Sequence, residues 1–230
     1  MYDYSIPAKE VMFVRYYISD LHFCHRSLIN EMDHRGFADI DAMNTYMIEK
    51  WNAKVRKNDE TVILGDFAFA DGKTANELLK SLNGKKFLIR GNHDRYFLDD
   101  SSFDTSLLGW VRDYAELRDN KRTVVLSHYP IMCYNGQYRV DEEGRPKRYM
   151  LYGHVHNTRD EILVDRMIQM TRKTEFQTRD GSLRTIPCEM INCFCMFSDY
   201  TPLSLDEWIE TDRLRRQKMR MEEENGLTAE

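Results

Sequence analysis

The chain lacks a disulfide framework, a membrane-length apolar run, an excess of positive charge and any internal repeat. Its five cysteines, Cys24, Cys133, Cys188, Cys193 and Cys195, are odd in number, form no CxxC pair and lack the spacing of small stapled secreted domains. Reduced thiols are the expectation. No window approaches the length of a bilayer span, and the opening MYDYSIPAKE has no basic segment followed by an apolar one. A cytoplasmic protein without a membrane anchor is therefore expected. The net charge of −5 argues against wholesale binding to a nucleic-acid backbone and leaves only a local basic groove open. What remains is a 230-residue chain, 42% hydrophobic and 31% charged, long enough to bury one sizeable core.

The apolar, β-branched and aromatic run at 11–19 is too short and too continuous for an amphipathic helix and reads as a buried strand. Residues 61–64, 86–90, 123–127 and 149–152 read the same way. Between the first two, Ile40, Met43, Met47, Trp51 and Val55 recur at helical spacing behind Asp39 as a cap. Thr74 and Glu77 make a capping-box signature ahead of Leu78, Leu79 and Leu82, with Asn83-Gly84 as the stop. Strands alternating with helices predict an α/β fold with a partly parallel sheet, whose ligands gather beyond the carboxyl ends of the strands. The second half is richer in β-structure, with hairpins expected at Asp119-Asn120 and Asp180-Gly181 and a strand region at 186–197. A polar, glycine-bearing loop spans 134–149, and from Ser204 a charged helical tail runs to a fraying GLTAE end.

Five of the strand candidates end in strings that present metal-capable oxygen or imidazole nitrogen: ISDLH, LGDF, RGNHD, LSHYP and YGHVH. Asp20 and His22 are two apart, as are His154 and His156, so each pair can turn toward one ion at a strand end. Asp66 follows Gly65, and Asn92 and His93 follow Gly91, residues that let the backbone bend. Carboxylates, an amide oxygen and several imidazoles suit divalent ions of intermediate softness such as Mn²⁺, Fe²⁺, Zn²⁺ or Ni²⁺. One such string alone is as readily a structural feature; the ordered set is not.

In order, DxH, GD, GNHD, a lone His after a strand and GHxH resemble the calcineurin-like metallophosphoesterases, and DLHFCH with YTPLSL resembles the small bacterial and phage members. The resemblance implies a four-layer α/β (α+β) sandwich, two packed mixed β-sheets flanked by helices, over residues 1–203, with 204–230 as a helical tail packed on or extending from it. It implies two divalent metal ions: Asp20, His22 and His156 would hold one, Asn92, His128 and His154 the other, and Asp66 would bridge. His93 would serve the leaving-group oxygen as acid, with Asp94 orienting its imidazole. The activity implied is attack by a metal-bridging hydroxide on phosphorus, without a covalent phosphoenzyme. The substrate expected is a small or nucleotide-like phosphoester, with a monoesterase or diesterase both open. A nuclease on DNA or RNA and a non-catalytic scaffold are the alternatives. Where the family string often reads GDxxD this chain has Phe69, with Asp71 a substitute nearby. His25, Arg26, Arg139 and Arg145 are candidate substrate contacts, the last two from a basic cluster that includes Lys147 and Arg148. Cys193 and Cys195, spaced to share one strand face, are expected in the core, and His34 in solvent.

Overall fold

A computed structural model describes residues 13–224; the opening MYDYSIPAKE and the GLTAE end, expected to fray, lie outside the described residues. Strands β1 (Arg15–Ile18), β2 (Glu60–Ile63), β3 (Lys85–Ile89) and β4 (Leu108–Arg112) pair in parallel in that order, and β11 (Leu203–Ser204) adds antiparallel to the outer side of β1. The second sheet has the order β10 (Met190–Asn192), β7 (Arg148–Tyr152), β6 (Arg122–Ser127), β5 (Tyr114–Asp119), parallel except for the β5–β6 hairpin. A short hairpin of β8 (Glu175–Gln177) and β9 (Leu183–Thr185) stands apart.

The two mixed sheets face each other across a core in which Tyr17, Val62, Leu64 and Ile89 of the first meet Val124, Leu126, Leu151 and Ile191 of the second. Helices α1 (Ile40–Lys54), α2 (Gly72–Ser81) and α3 (Arg95–Leu98) cover the outer face of the first sheet, and α4 (Arg159–Lys173) covers that of the second. Strands buried on both faces must be apolar throughout, which is why their sequences read as continuous rather than alternating runs. In α1, Met43, Met47 and Trp51 fall four apart and are fully buried, and Asp39 caps the helix by accepting from the Ala42 N–H at 2.8 Å, a contact contributing about 1 kcal/mol.

Several local features differ from the sequence expectation. Helix α2 starts before Thr74, because Asp71 is its cap and accepts from the Thr74 N–H at 2.8 Å; Asp71 is thereby committed to the helix and does not stand in for a missing carboxylate. The β5–β6 turn is at Asn120-Lys121, one residue later than expected, since Asp119 pairs with Arg122 and both turn residues adopt positive φ. Cys193 and Cys195 do not share a strand face: β10 ends at Asn192, Cys193 fills the space between the sheets, and Cys195 lies behind β1 with its thiol donating to the Asp20 carbonyl at 3.1 Å.

Helix α5 (Leu205–Glu224) is less solvated than its charge suggests. Trp208 is buried and donates its indole N–H to the Tyr17 carbonyl at 2.8 Å. Arg216 is buried as well, bound to Asp212 at 2.7 Å, to Asp165 of α4 and to the Met190 carbonyl at 3.1 Å. Leu214 remains in solvent. No helix of the described residues is long and apolar enough to cross a membrane.

Candidate metal centre

Parallel strands deliver their carboxyl ends to one edge of each sheet, and the facing of the two sheets brings the edges together. Past β1 come Asp20 and His22, past β2 Asp66, past β3 Asn92 and His93, past β6 His128, and past β7 His154 and His156. The turns that aim these side chains are strained: Asp20, His22, Asp66, His154 and His156 have φ of 54°, 48°, 54°, 71° and 47°. Such backbone costs about 1–2 kcal/mol per non-glycine residue and persists only where the surroundings hold it. Here backbone bonds do so, Asp20 N–H to Gly65 O at 3.1 Å and His22 N–H to Asp66 O at 2.9 Å.

The glycines act differently from one another. Gly65 does supply a bend, at φ +91°, and a Cβ there would fall 2.3 Å from His128 Nδ1. Gly91 is needed for close approach rather than for bending, because a Cβ there would fall 2.2 Å from Asp66 Oδ1 and 2.5 Å from Asp66 N.

Asp66 Oδ2 lies between two groups of imidazoles, 3.4 Å from His22 Nε2 and 3.6 Å from His128 Nε2. On the first side, His156 Nε2 is 3.2 Å from His22 Nε2 and 3.5 Å from Asp20 Oδ1. On the second, Asn92 Oδ1 sits 3.0 Å from both His128 Nε2 and His154 Nδ1. Asp20, His22 and His156 form one cluster able to hold a metal ion, and Asp20, Asp66 and His128 form another. The structure thus brings together all seven residues considered as ligands.

The outward ring nitrogens of His128 and His156 are fixed. His128 Nδ1–H donates to the Leu64 carbonyl at 2.8 Å, which turns its Nε2 toward Asp66 and Asn92. His156 Nδ1–H donates to Asp33 at 2.6 Å, and Asp33 is held by Arg35 at 2.8 Å. Buried Arg35 also donates to the Leu21 and Asp20 carbonyls at 2.7 and 3.0 Å, clamping the DxH turn. Asp33 and Arg35 were missed because they flank an exposed His34 in a segment without periodicity; nothing local marks them.

The electrostatics favour a cation. Burial pushes the Asp66 carboxyl up, and the Asp20 charge adds to that while His128 opposes it. Asp20 itself, despite burial, is held well below the usual range by its contact with His156 and by the neighbouring imidazoles. Burial pulls His22 down strongly and His154 moderately. His156 resists burial through its hydrogen bonds to Asp20 and Asp33 and is pushed up to about 9. Two buried carboxylates side by side, ringed by convergent nitrogens, form a donor set that a divalent ion would neutralise and that suits metals of intermediate softness.

The other candidates separate. The His93 ring is half-buried, 5.3 Å from the His22 ring between centroids, with no hydrogen bond to it among the described residues; the backbone N–H of His93 donates to Asp66 Oδ1 at 2.8 Å. Asp94 does not orient that ring. Its buried carboxylate is taken by three backbone N–H groups, of Phe67 at 2.7 Å, Gly91 at 2.7 Å and Asp66 at 3.0 Å, so it fastens the β2 turn to the β3 turn. Burial and the Asp66 charge push it up to about 6 against the pull of those N–H groups. His25 borders the centre, its Nδ1 3.3 Å from that of His22, whereas Arg26 is exposed and makes no polar contact to the centre. Arg139 and Arg145 are misplaced for substrate contact. With Arg118, Lys121, Lys147, Arg148 and Arg184, Arg139 lines a groove at the amino end of β7, roughly 13 Å along the strand from the metal end, and Arg145 pairs with Asp141 and Glu143 there. The 134–149 loop returns to that far end, with Lys147 N–H bonded to the Arg139 carbonyl, so those arginines do not flank the centre.

A four-layer sandwich with a carboxylate between two imidazole groups at its strand ends defines a phosphoesterase fold with a metal-capable centre. The chain belongs to the calcineurin-like phosphoesterases, whose family model matches residues 16–185. It is 42% identical over 115 residues to an uncharacterized protein of Methanocaldococcus jannaschii, covering 42% of this chain and 65% of that protein, so it spans less than two thirds of that relative. The gene 66 protein of Mycobacterium phage D29 is 32% identical over 164 residues, 62% of this chain and 78% of the phage protein. Among solved structures, a protein of unknown function from Aquifex aeolicus superposes with a TM-score of 0.54 over 85% of this chain and 97% of its own, at 22% identity, a likeness of fold.

Proposed function

We propose that the protein hydrolyses phosphoesters with two divalent ions, acting on a small or nucleotide-like monoester or diester. The observation that carries this reading is the position of one carboxylate oxygen, Asp66 Oδ2, between His22 and His128 at 3.4 and 3.6 Å, with the remaining ligands divided about it. Asp20, His22 and His156 would hold one ion, and Asn92, His128 and His154 the other. When bound, two such ions lower the pKa of water and offset phosphoryl charge. Asp33 and the Leu64 carbonyl hold the outward Nδ1–H of His156 and His128, so that each would turn its Nε2 to an ion. His93, whose ring has no hydrogen bond among the described residues, would give a proton to the departing oxygen; hydrolysis by water then releases an alcohol together with phosphate from a monoester or a phosphomonoester from a diester. The distant basic groove argues against a nuclease that would grip its backbone beside the metals.

The test is a panel of mono- and diesters, nitrophenyl esters included, assayed with chelator-treated protein reloaded with Mn²⁺, Ni²⁺, Zn²⁺ or Mg²⁺. Turnover is expected with at least one ion and none after chelation. Two bound metals by elemental analysis with no turnover of any ester would sink the reading and favour a scaffold.

A further inference from the structure

Beside the buried polar centre two aromatic side chains stand open, Phe69 at 39% and Tyr96 at 45% exposure. The core has no use for them: Phe67 and Ala68 close it next to Phe69, and Phe97 does so next to Tyr96. They are not scattered either. Their rings meet edge to face at 4.7 Å, Phe69 stacks on His25 at 4.4 Å with planes 11° apart, and both approach the His93 ring, at 5.9 and 6.0 Å. His25 in turn lies 5.1 Å from His22. The result is a continuous aromatic shelf that starts at the metal ligands and runs outward past His93.

We infer that Phe69 and Tyr96 form a subsite for a nucleobase carried by the departing part of the substrate. This rests on the phosphoester-hydrolase reading, in which His93 serves the departing oxygen; whatever is attached to that oxygen lies next to His93, and the shelf is what it meets there. A phosphoester combined with a planar ring in one small molecule is the chemistry of a nucleotide. Stacking recognises the π-face common to all bases, so purine and pyrimidine esters both gain from it. Phe69 occupies the place where the resemblance would put an aspartate, and a neutral ring there makes an apolar support where a carboxylate would repel a phosphate.

The experiment compares the methyl phosphodiester of adenosine, joined through the 5′ oxygen, with the same diester of ribose, so that the base is the sole difference. The wild-type protein should prefer the adenosine ester in kcat/KM by about fivefold or more, the size of one stacking contact. The double variant Phe69→Leu/Tyr96→Leu keeps apolar bulk at exposed positions and should bring the ratio to about one, and Phe69→Trp should retain it. A wild-type ratio near one, a ratio that survives the double variant, or a ratio lost instead in Tyr129→Leu, whose ring lies against His154 at 4.4 Å on the other flank, would overturn the subsite. Calorimetric binding to the Mn²⁺-loaded protein of the phosphonates in which a methylene replaces the 5′ oxygen of adenosine 5′-monophosphate and of ribose 5-phosphate gives a readout free of turnover. Preference for the adenosine phosphonate without hydrolysis of either ester would keep the subsite and sink the hydrolase; equal hydrolysis of both esters would do the reverse.

Discussion

Replacing Asp94 by alanine should unfasten the metal centre. The carboxylate is fully buried and accepts three N–H groups, two on Oδ2 from Gly91 and Asp66 and one on Oδ1 from Phe67. Hydrogen bonds to a charged group contribute about 1.5–3 kcal/mol each, roughly 4.5–9 kcal/mol for three. Against this stands the cost of keeping a carboxylate buried beside Asp66, which pushes Asp94 up to about 6 and which the substitution relieves by a few kcal/mol. The net expectation is a loss of about 3–5 kcal/mol. For a chain of this size each kcal/mol moves the melting temperature by about 2–4 °C, so a drop of about 10 °C should be seen. Asparagine at the same place can keep its oxygen toward Gly91 and Asp66 but turns an amide N–H toward Phe67, and should lose about 1.5–3 kcal/mol.

Thermal melts with and without Mn²⁺, together with metal content after buffer exchange, read both consequences, because the Asp66 N–H released by the substitution belongs to the residue between the two imidazole groups. If Asp94 acted by orienting His93, the alanine variant would melt within about 2 °C of wild type, keep its metal and merely slow turnover of esters with poor leaving groups. That combination would refute the fastening role.

Alanine at His93 should leave metal content intact and slow esters with poor leaving groups by about 10²-fold or more while affecting activated nitrophenyl esters less; equal slowing of both, in steady-state kinetics, would argue against an acid. Gly91→Ala forces a Cβ to within 2.2 Å of Asp66 Oδ1 and should destabilise the protein by about 1–3 kcal/mol with loss of metal, measured by denaturant titration and elemental analysis. In metal-free protein, His156 is raised from 6.5 to about 9, so its protonated form stabilises the fold; that contribution is full below pH 6.5 and is lost as pH rises through about 9. Melts in chelator should therefore fall between those values, and a flat or rising profile would count against the Asp20–His156–Asp33 arrangement.

The strands that carry the centre were legible because each is short, apolar on both faces and ends at a turn residue followed by a ligand type, all of it local information. The α4 helix was not legible, since Ile168 and Glu161 are its buried positions and the charges on its other faces hide any periodicity. Nor was β4, five residues with a mixed burial pattern. Asp33 lies 123 positions from His156, and no spacing rule reaches that far. Arg139 and Arg145 lie in sequence between two ligands, and nothing in that order reveals that the 134–149 loop runs back to the far end of β7.

By itself, then, the sequence determined the class of fold and the set of residues able to hold metal, because strand-forming runs and donor types are properties of short segments. Tertiary structure alone decided what each donor faces. It turned Asp94 from the His93 ring to three backbone N–H groups, gave His156 its Asp33 partner, removed the arginines to the other end of the sheet, and stood Phe69 and Tyr96 beside His93. The physical reason is that hydrogen bonds and ring contacts act over a few ångströms in space, and which residues come that close depends on how two separate sheets pack.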